Sequence, residues 1–273
     1  MKADLHTHTF HSDGTFSPEE LVSRAKAAGV SILSITDHDS VAGIEAAVRA
    51  AGSGLEVIPG VEITVAFEGR ELHLLGYGIN PADRDFLSFL ERMQVYRIGR
   101  IRKMIEQING RGIPVTFEEV ASIAGKGAIG RPHLAEALVN RRAVKTMQDA
   151  FQEYIGDHAS CFVKGATLTV AEAVKLIRSA GGVSSLAHPY HIVEDGWIPE
   201  LVSQGIEGIE AYHSDHGPVI AQRYRQMAEQ HNLLITGGSD CHGFRRGKGP
   251  LVGTVPVPEE CVIRLKEAIK KAA

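Results

Sequence analysis

Within its first thirteen residues, MKADLHTHTFHSD, the chain carries His6, His8, His11 and Asp13. Imidazole and carboxylate bind divalent cations, and imidazole moves protons near neutral pH. The same residue types recur down the chain: His38 in ITDHD, Glu62 in PGVEI, His73 in ELHLL, His188 in AHP, His213 in AYH, and Asp240 and His242 in SDCH. Taken singly, each has a plainer reading. A strand histidine such as His73 is as a rule a hydrogen-bonded core residue, TDHDS makes a polar turn with a helix cap, and Glu62 makes a buried partner for an arginine. Taken together, those readings would bury many polar groups without partners, at several kcal/mol each. Cations remove that cost. The set contains His, Asp and Glu but no thiolate, which favours Zn²⁺, Mn²⁺ or Fe²⁺ over a structural zinc knot. It exceeds what one ion needs, so two or three ions are expected, with Glu62 as the bridge.

These residues need elements that bring them to one place. Seven short apolar runs read as buried strands: 3–8, 31–38, 55–67, 70–79, 181–189, 205–213 and 233–242. Nearly every candidate ligand lies at or near the end of one of them. Alternate strand residues share a face, so His6 and His8 are neighbours. If the strands form a barrel, their C-terminal ends converge on one rim, where catalytic residues gather from several strands. Helix starts are marked by Ser17-Pro18 with Glu20, Thr116 with Glu119, and Thr169 with Glu172, each in the spacing of a capping box. Gly29 and Gly181 mark helix ends. Strand–helix alternation implies a mainly parallel sheet, open or closed. Residues 83–160 break the rhythm, with helical patterns at 83–110, 117–124, 132–141 and 146–155. The expected organisation is a barrel domain over 1–99 and 161–273, and a small helical insertion over 100–160.

Composition narrows the partners. The chain has 273 residues and a formal net charge of −4, which gives no footprint for duplex nucleic acid or an anionic membrane surface. Its three cysteines, Cys161, Cys241 and Cys261, are irregularly spaced with no CxxC, which fits a reduced cytoplasmic setting better than a disulfide framework. No apolar run approaches the roughly 20 residues that span a bilayer, and the N-terminus does not read as a signal peptide.

DLHTH, SDGT, ITDHD, PGVEI, AHP and SDCH, in this order, resemble the PHP (polymerase and histidinol phosphatase) family of metal-dependent phosphoesterases. The resemblance covers nearly the whole chain and implies a distorted (β/α)7 barrel with a small helical insertion. Its ligand pattern places His6, His8, Glu62 and Asp240 on one ion. A second takes His73 and His188 and shares Glu62, and a third takes Asp13, His38 and His242. Asp13 stands where histidinol phosphatases carry histidine, which makes the third site harder and favours Mn²⁺ there. His11 lies off the motif and reads as a local hydrogen-bonding residue.

A narrower resemblance lies in IGRPHLAEALV (129–139) and the stretch after it. It is similar to the PHP subgroup that hydrolyses 3′,5′-nucleoside bisphosphates such as pAp, whose relatives trim the 5′ ends of short RNAs. The implied reaction is removal of the 3′-phosphate by a metal-bridging hydroxide, the ions also clamping the phosphoryl oxygens. The alternatives are 5′–3′ exoribonuclease action on short RNA, histidinol phosphate hydrolysis, or a non-catalytic PHP binding module. Asp13 and GRPH speak against histidinol phosphate, and the filled ligand positions against the last.

His191 and His213 are the candidate proton donors to the departing ribose oxygen. For the second phosphate, the bidentate fork of Arg131 is the first choice, with His133 beside it. Lys164 comes next, and Arg97, Arg100 and Arg102 form a basic stretch at the insertion's mouth, at least one of them on a solvated face. Arg245 and Arg246 contact phosphate or are loop charges. Cys241 and Trp197 read as packing residues. No obligate protein partner is evident.

Overall fold

The computed structural model describes residues 1–165, 168–191, 193–244 and 249–272. Its framework is a seven-stranded sheet in chain order: β1 (Ala3–Asp4), β2 (Ile32–Ile35), β3 (Glu56–Phe67), β4 (Arg70–Tyr77), β5 (Val183–Leu186), β6 (Gly208–His213) and β7 (Leu234–Gly238). The N-terminal strand meets the last: Leu5 N–H donates to Gly237 O at 3.2 Å, Asp240 N–H to His6 O at 2.8 Å, and His8 N–H to Cys241 O at 3.0 Å. The sheet is thus nearly closed into a barrel.

Pairing is parallel from β1 to β3 and from β5 to β7, as alternation predicts. The distortion is β4, antiparallel to both β3 and β5. The β3–β4 connection is a two-residue hairpin turn, Glu68-Gly69, with φ of 46° and 78°, the conformation a tight hairpin requires. The strand ladders are shorter than the apolar runs. They end before His6, His8, His38, His188, Asp240 and His242, so these residues lie on the segments leaving the rim.

Helices α1 (Pro18–Ala27) and α2 (Ile44–Ala51) follow the first two strands, and α3 (Arg84–Asn109) follows β4. Then come α4 (Phe117–Ala124), α5 (Arg131–Asn140), α6 (Met147–Ala150) continued by a π turn at Phe151–Ile155, α7 (Val170–Ser179), α8 (Ile198–Ser203), α9 (Pro218–Gln230) and α10 (Glu259–Ala272). Thr116/Glu119 and Thr169/Glu172 form reciprocal capping boxes. Ser17 caps α1, but Glu20 makes no return bond there. Its carboxylate is drawn to Arg24 one turn on, at 2.8 Å. Among the described residues, no helix is long and apolar enough to cross a membrane.

Helix α3 ties two cores together. Phe86, Phe89, Leu90 and Met93 pack with barrel residues of β3, β4 and α7. Further along the same helix, Ile101, Met104, Ile105 and Ile108 pack with α4, α5 and Cys161. The expected boundary at 99/100 therefore falls inside an unbroken helix, at the point where its apolar face changes partner.

Candidate metal centre and the cleft beside it

The rim is built around Glu62, which is fully buried in β3. Its Oε1 lies 2.8 Å from His73 Nδ1 and 2.9 Å from His188 Nε2. Its Oε2 lies 3.3 Å from His6 Nε2, 3.2 Å from His8 Nε2 and 3.3 Å from His38 Nδ1. Asp240 Oδ1 faces the same pair of imidazoles, 3.4 Å from His6 Nε2 and 3.1 Å from His8 Nε2. Asp13 Oδ1 lies 3.1 Å from His242 Nε2 and 3.9 Å from both His8 Nδ1 and His38 Nε2. All nine predicted ligands thus converge. His8, Asp13, His38 and His242 form one cluster, His6, Glu62 and His188 another, and His38, Glu62 and His73 a third, each with its ligand atoms within 4.8 Å of one another. A fourth joins His6 and Asp240 with His213.

The backbone is bent to achieve this. His188 and Asp240, which follow their strands, have φ of 25° and 51°, a region uncommon for residues other than glycine, asparagine and aspartate.

Charge at the rim is unbalanced in a telling way. Burial opposes ionisation of Glu62, yet His38, His73 and His6 hold its carboxyl well below the usual range. Burial likewise opposes ionisation of Asp13, but His242, His38 and His8 hold it well below. Burial disfavours the charged form of His8, but contacts to Asp240 and Glu62 carry its pKa up to about 9. Burial holds His38 well below its ordinary value and lowers His188. The carboxylates demand positive charge that only some of the imidazoles can carry. Moreover His8 Nε2, Asp13 Oδ1 and His38 Nδ1 are buried without hydrogen-bond geometry to any partner, although oppositely disposed atoms crowd them. Imidazole and carboxylate atoms converging at this spacing suit divalent ions, so the residues present fit a cluster of His, Asp and Glu ligands.

Carboxylates missed in the sequence hold these ligands in place. Glu210 is fully buried on β6. Its Oε1 lies 3.0 Å from His6 Nδ1, and its Oε2 accepts the His188 N–H at 2.7 Å. An acid on the far nitrogen of a ligating imidazole fixes the ring and its tautomer. In GIEGIEAYH it reads only as a polar residue between apolar ones, so its cue was weak. Asp37 accepts from Thr9 N–H at 2.7 Å, Thr9 Oγ1 at 2.6 Å and Ser12 Oγ at 2.5 Å. It clamps the loop that presents His8 and Asp13. Its place next to His38 in ITDHD was visible, but not its direction.

His213 closes β6 and turns toward a candidate ligand. Its Nδ1 accepts the Asp215 N–H at 3.1 Å, which leaves the proton on Nε2, 3.3 Å from Asp240 Oδ2. That proton is directed at a candidate ligand. His191 ends a short 3₁₀ turn at Pro189–His191, and its side chain lies outside the described residues, as do Arg245 and Arg246.

A cleft of about 190 Å³ opens beside the rim. Asp13, His38 and His73 form one wall, and Arg97, Arg100 and Arg131 line the other. Arg97 reaches from α3 to Asp39 Oδ2 at 2.6 Å and Thr64 Oγ1 at 3.0 Å. Arg100 pairs with Glu71 at 2.7 Å. Arg131 pairs with Glu71 at 3.0 Å and with Asp157 at 2.7 Å.

Two expected phosphate contacts, His133 and Lys164, do not line this cleft. His133 is 1% exposed, and its Nδ1 accepts the Gly130 N–H at 3.0 Å. It caps α5, because a residue three positions into a helix reaches back to the chain before it. Lys164 is exposed and does not line the cleft. The backbone beside it is held by Tyr96, whose hydroxyl donates to Gly165 O at 2.7 Å. Arg102 lies with its guanidinium carbon 3.7 Å from the Phe117 ring centre, away from the cleft. His11 joins none of the ligand clusters. Its backbone carbonyl accepts the Ala128 N–H at 2.9 Å. Cys241 is buried in the apolar cluster with Phe16 and Val252, and Trp197 packs edge-on against Phe67.

The PHP domain model matches residues 4–168. A 5′-3′ exoribonuclease of Haemophilus influenzae is 34% identical over 247 residues, covering 88% of this chain and 90% of the relative. A 3′,5′-nucleoside bisphosphate phosphatase of Chromobacterium violaceum is 31% identical over 265 residues, covering 94% and 93%. A solved structure from Bifidobacterium adolescentis, considered a metal-dependent phosphoesterase, superposes with a TM-score of 0.87 at 29% identity, covering 97% of this chain and 96% of that one.

Proposed function

This chain belongs to the PHP domain family, and from that premise we propose that it is a phosphoric monoester hydrolase that removes the 3′-phosphate of 3′,5′-nucleoside bisphosphates, converting pAp to AMP. The observation that carries the reading is the cleft, in which an imidazole–carboxylate rim faces a wall of guanidinium groups. One wall suits the phosphate that reacts and the other a phosphate that is only held.

Glu62 would bridge two ions, with His6, His8 and Asp240 on one side and His73 and His188 on the other. Asp13, His38 and His242 would hold a third. Mn²⁺ suits this mixed nitrogen and oxygen set, with Zn²⁺ or Fe²⁺ as substitutes. When bound, such ions acidify water and neutralise charge on the phosphoryl oxygens. Arg131 and Arg97 grip the 5′-phosphate and so fix the distance to the bond that breaks. Glu210 and Asp37 keep the ligands oriented through cycles of substrate entry and product exit. His191, three residues beyond His188, is assigned proton delivery to the ribose oxygen, and His213 the support of Asp240. The reading carries with it a barrel domain, a helical cap over 100–160 that brings Arg131, and a cytoplasmic setting.

A second reading is favoured by the exoribonuclease relative: the same two walls would hold the 5′ end of a short RNA. Purified protein with Mn²⁺ is offered pAp, 3′-AMP, histidinol phosphate and a 5′-phosphorylated dinucleotide. The proposal expects pAp to be the preferred substrate, with phosphate released. Equal turnover of pAp and 3′-AMP would overturn the role of the second phosphate, and preference for the dinucleotide would favour the second reading.

A further inference from the structure

The guanidinium wall is not as positive as its arginines suggest. Glu71 stands between Arg100 and Arg131, 7% exposed, and lines the cleft itself. Its Oε2 accepts from Arg131 Nη2 at 3.0 Å and from Arg100 Nη1 at 3.3 Å, and its Oε1 lies 2.7 Å from Arg100 Nη2. Arg100 is consumed by this: Nε donates to Val163 O at 2.9 Å, and Nη2 is buried out of reach of solvent. Glu71 Oε1 is buried without hydrogen-bond geometry to a partner, so both directional bonds to the acid fall on Oε2. The fold makes room for it, since a Cβ on Gly165 would collide with Glu71 Oε1. On β4, Glu71 is two residues from His73 and so shares its face. The acid therefore stands on the same strand face as a candidate metal ligand and looks into the same cleft.

A buried carboxylate beside an anion-binding wall offsets the charge that an incoming phosphate needs. We infer that Glu71 is the specificity-determining residue of the guanidinium wall: an internal counter-anion that weakens the hold on the retained phosphate, so that a nucleoside monophosphate leaves while a doubly phosphorylated nucleotide, anchored also at the rim, stays. The inference rests on the bisphosphate reading for the ligand it names, but its charge argument applies to any nucleotide phosphate on that wall. Arg131 is the guanidinium through which the effect is felt, since its fork is divided between Glu71 and Asp157 at the cleft's edge.

The sign of the effect makes it testable. Glu71→Gln keeps the shape and removes the charge. On the full chain loaded with Mn²⁺, AMP binding is measured by calorimetry, with adenosine as the uncharged probe. The expected result is AMP bound about tenfold tighter by the variant, adenosine unchanged within twofold, and the gain lost when Arg131→Met is added. AMP bound equally or more weakly by E71Q, in a protein that melts within a few degrees of the parent, overturns the inference, because a merely structural carboxylate weakens binding when removed. A gain that survives Arg131→Met overturns it as well. Should E71Q instead unfold, Glu71→Asp, which retains charge while withdrawing it from the fork, must show a smaller gain of the same sign, and a loss refutes the inference. Failure of the functional reading shows up separately, as absence of phosphate release from pAp by the parent protein.

Discussion

His73 Nδ1 lies 2.8 Å from Glu62 Oε1, although the strands that carry them pair His73 with Thr64 and Glu62 with Leu75. The contact is a diagonal across an antiparallel step, within reach of long side chains. It is made possible by β4 running against its neighbours. Reversing one strand lets a mid-strand histidine meet a mid-strand glutamate at a rim otherwise furnished by strand ends.

Glu62 is the residue on which the cluster depends. Glu62→Gln is expected to lower bound metal by at least one ion per chain and to cut turnover by at least ~100-fold. Elemental analysis of the purified variant alongside a phosphate-release assay checks both. Full metal content with normal turnover would contradict the bridging role.

Glu210 stands behind His6, on the ring nitrogen opposite the one that faces Glu62 and Asp240. Glu210→Gln should leave the fold intact and weaken metal affinity about 10- to 100-fold, the usual cost of losing an orienting acid behind a ligating imidazole. Metal titration followed by thermal unfolding reads this directly.

Metal should stabilise the protein as well as activate it. Ligand at a hundredfold excess over its Kd adds about 2.7 kcal/mol, or roughly 5–10 °C in Tm for a domain of this size. Differential scanning fluorimetry with and without a chelator measures the shift. Identical melting in both would speak against a cluster spanning six strands and their loops.

His213 and His191 are distinguished by the alkaline limb of the rate profile. His213→Asn should lose activity through weaker metal binding, with that limb unmoved and activity partly restored by higher Mn²⁺. His191→Asn should remove the limb, and added metal should not restore it.

Arg131→Met should raise KM for pAp by about 10- to 100-fold, as loss of a charge-assisted fork predicts, and leave KM for 3′-AMP nearly unchanged. Parallel steady-state measurements on the two substrates settle the point. An equal rise for both would make Arg131 a structural strut between Glu71 and Asp157.

The rim was largely legible in the sequence because ligand identity is chemical and strand ends are marked. Histidines and acids at the ends of apolar runs converge in a closing sheet, so His6, His38, His188 and Asp240 could be grouped without coordinates. The reversal of β4 was legible and went unread: only Glu68 and Gly69 separate the runs 55–67 and 70–79, and so short a link joins strands only in antiparallel fashion. Glu210 was hidden because a lone glutamate inside a strand looks alike whether it faces solvent or an imidazole. His133 misled, since GRPH supplies both a basic pair and a helix start, and only the geometry shows the ring turned back to the Gly130 amide. Glu71 escaped notice because the arginines it balances lie 29 and 60 residues away in the chain.

Arg97 and Arg100 are three residues apart on α3 and look into the cleft from one side of the rod. Their aim is therefore a matter of rotational phase. One residue inserted between Met93 and Arg97 would swing both guanidiniums by about 100° around the axis and lift them by about 1.5 Å, away from the cleft they line. Such an insertion would change no core residue's identity, yet it would rotate Ile101, Met104, Ile105 and Ile108 against the barrel and uncouple the two walls. Helix α3 is thus a keyed shaft, and selection for activity should forbid changes in its length there more strictly than changes in its sequence.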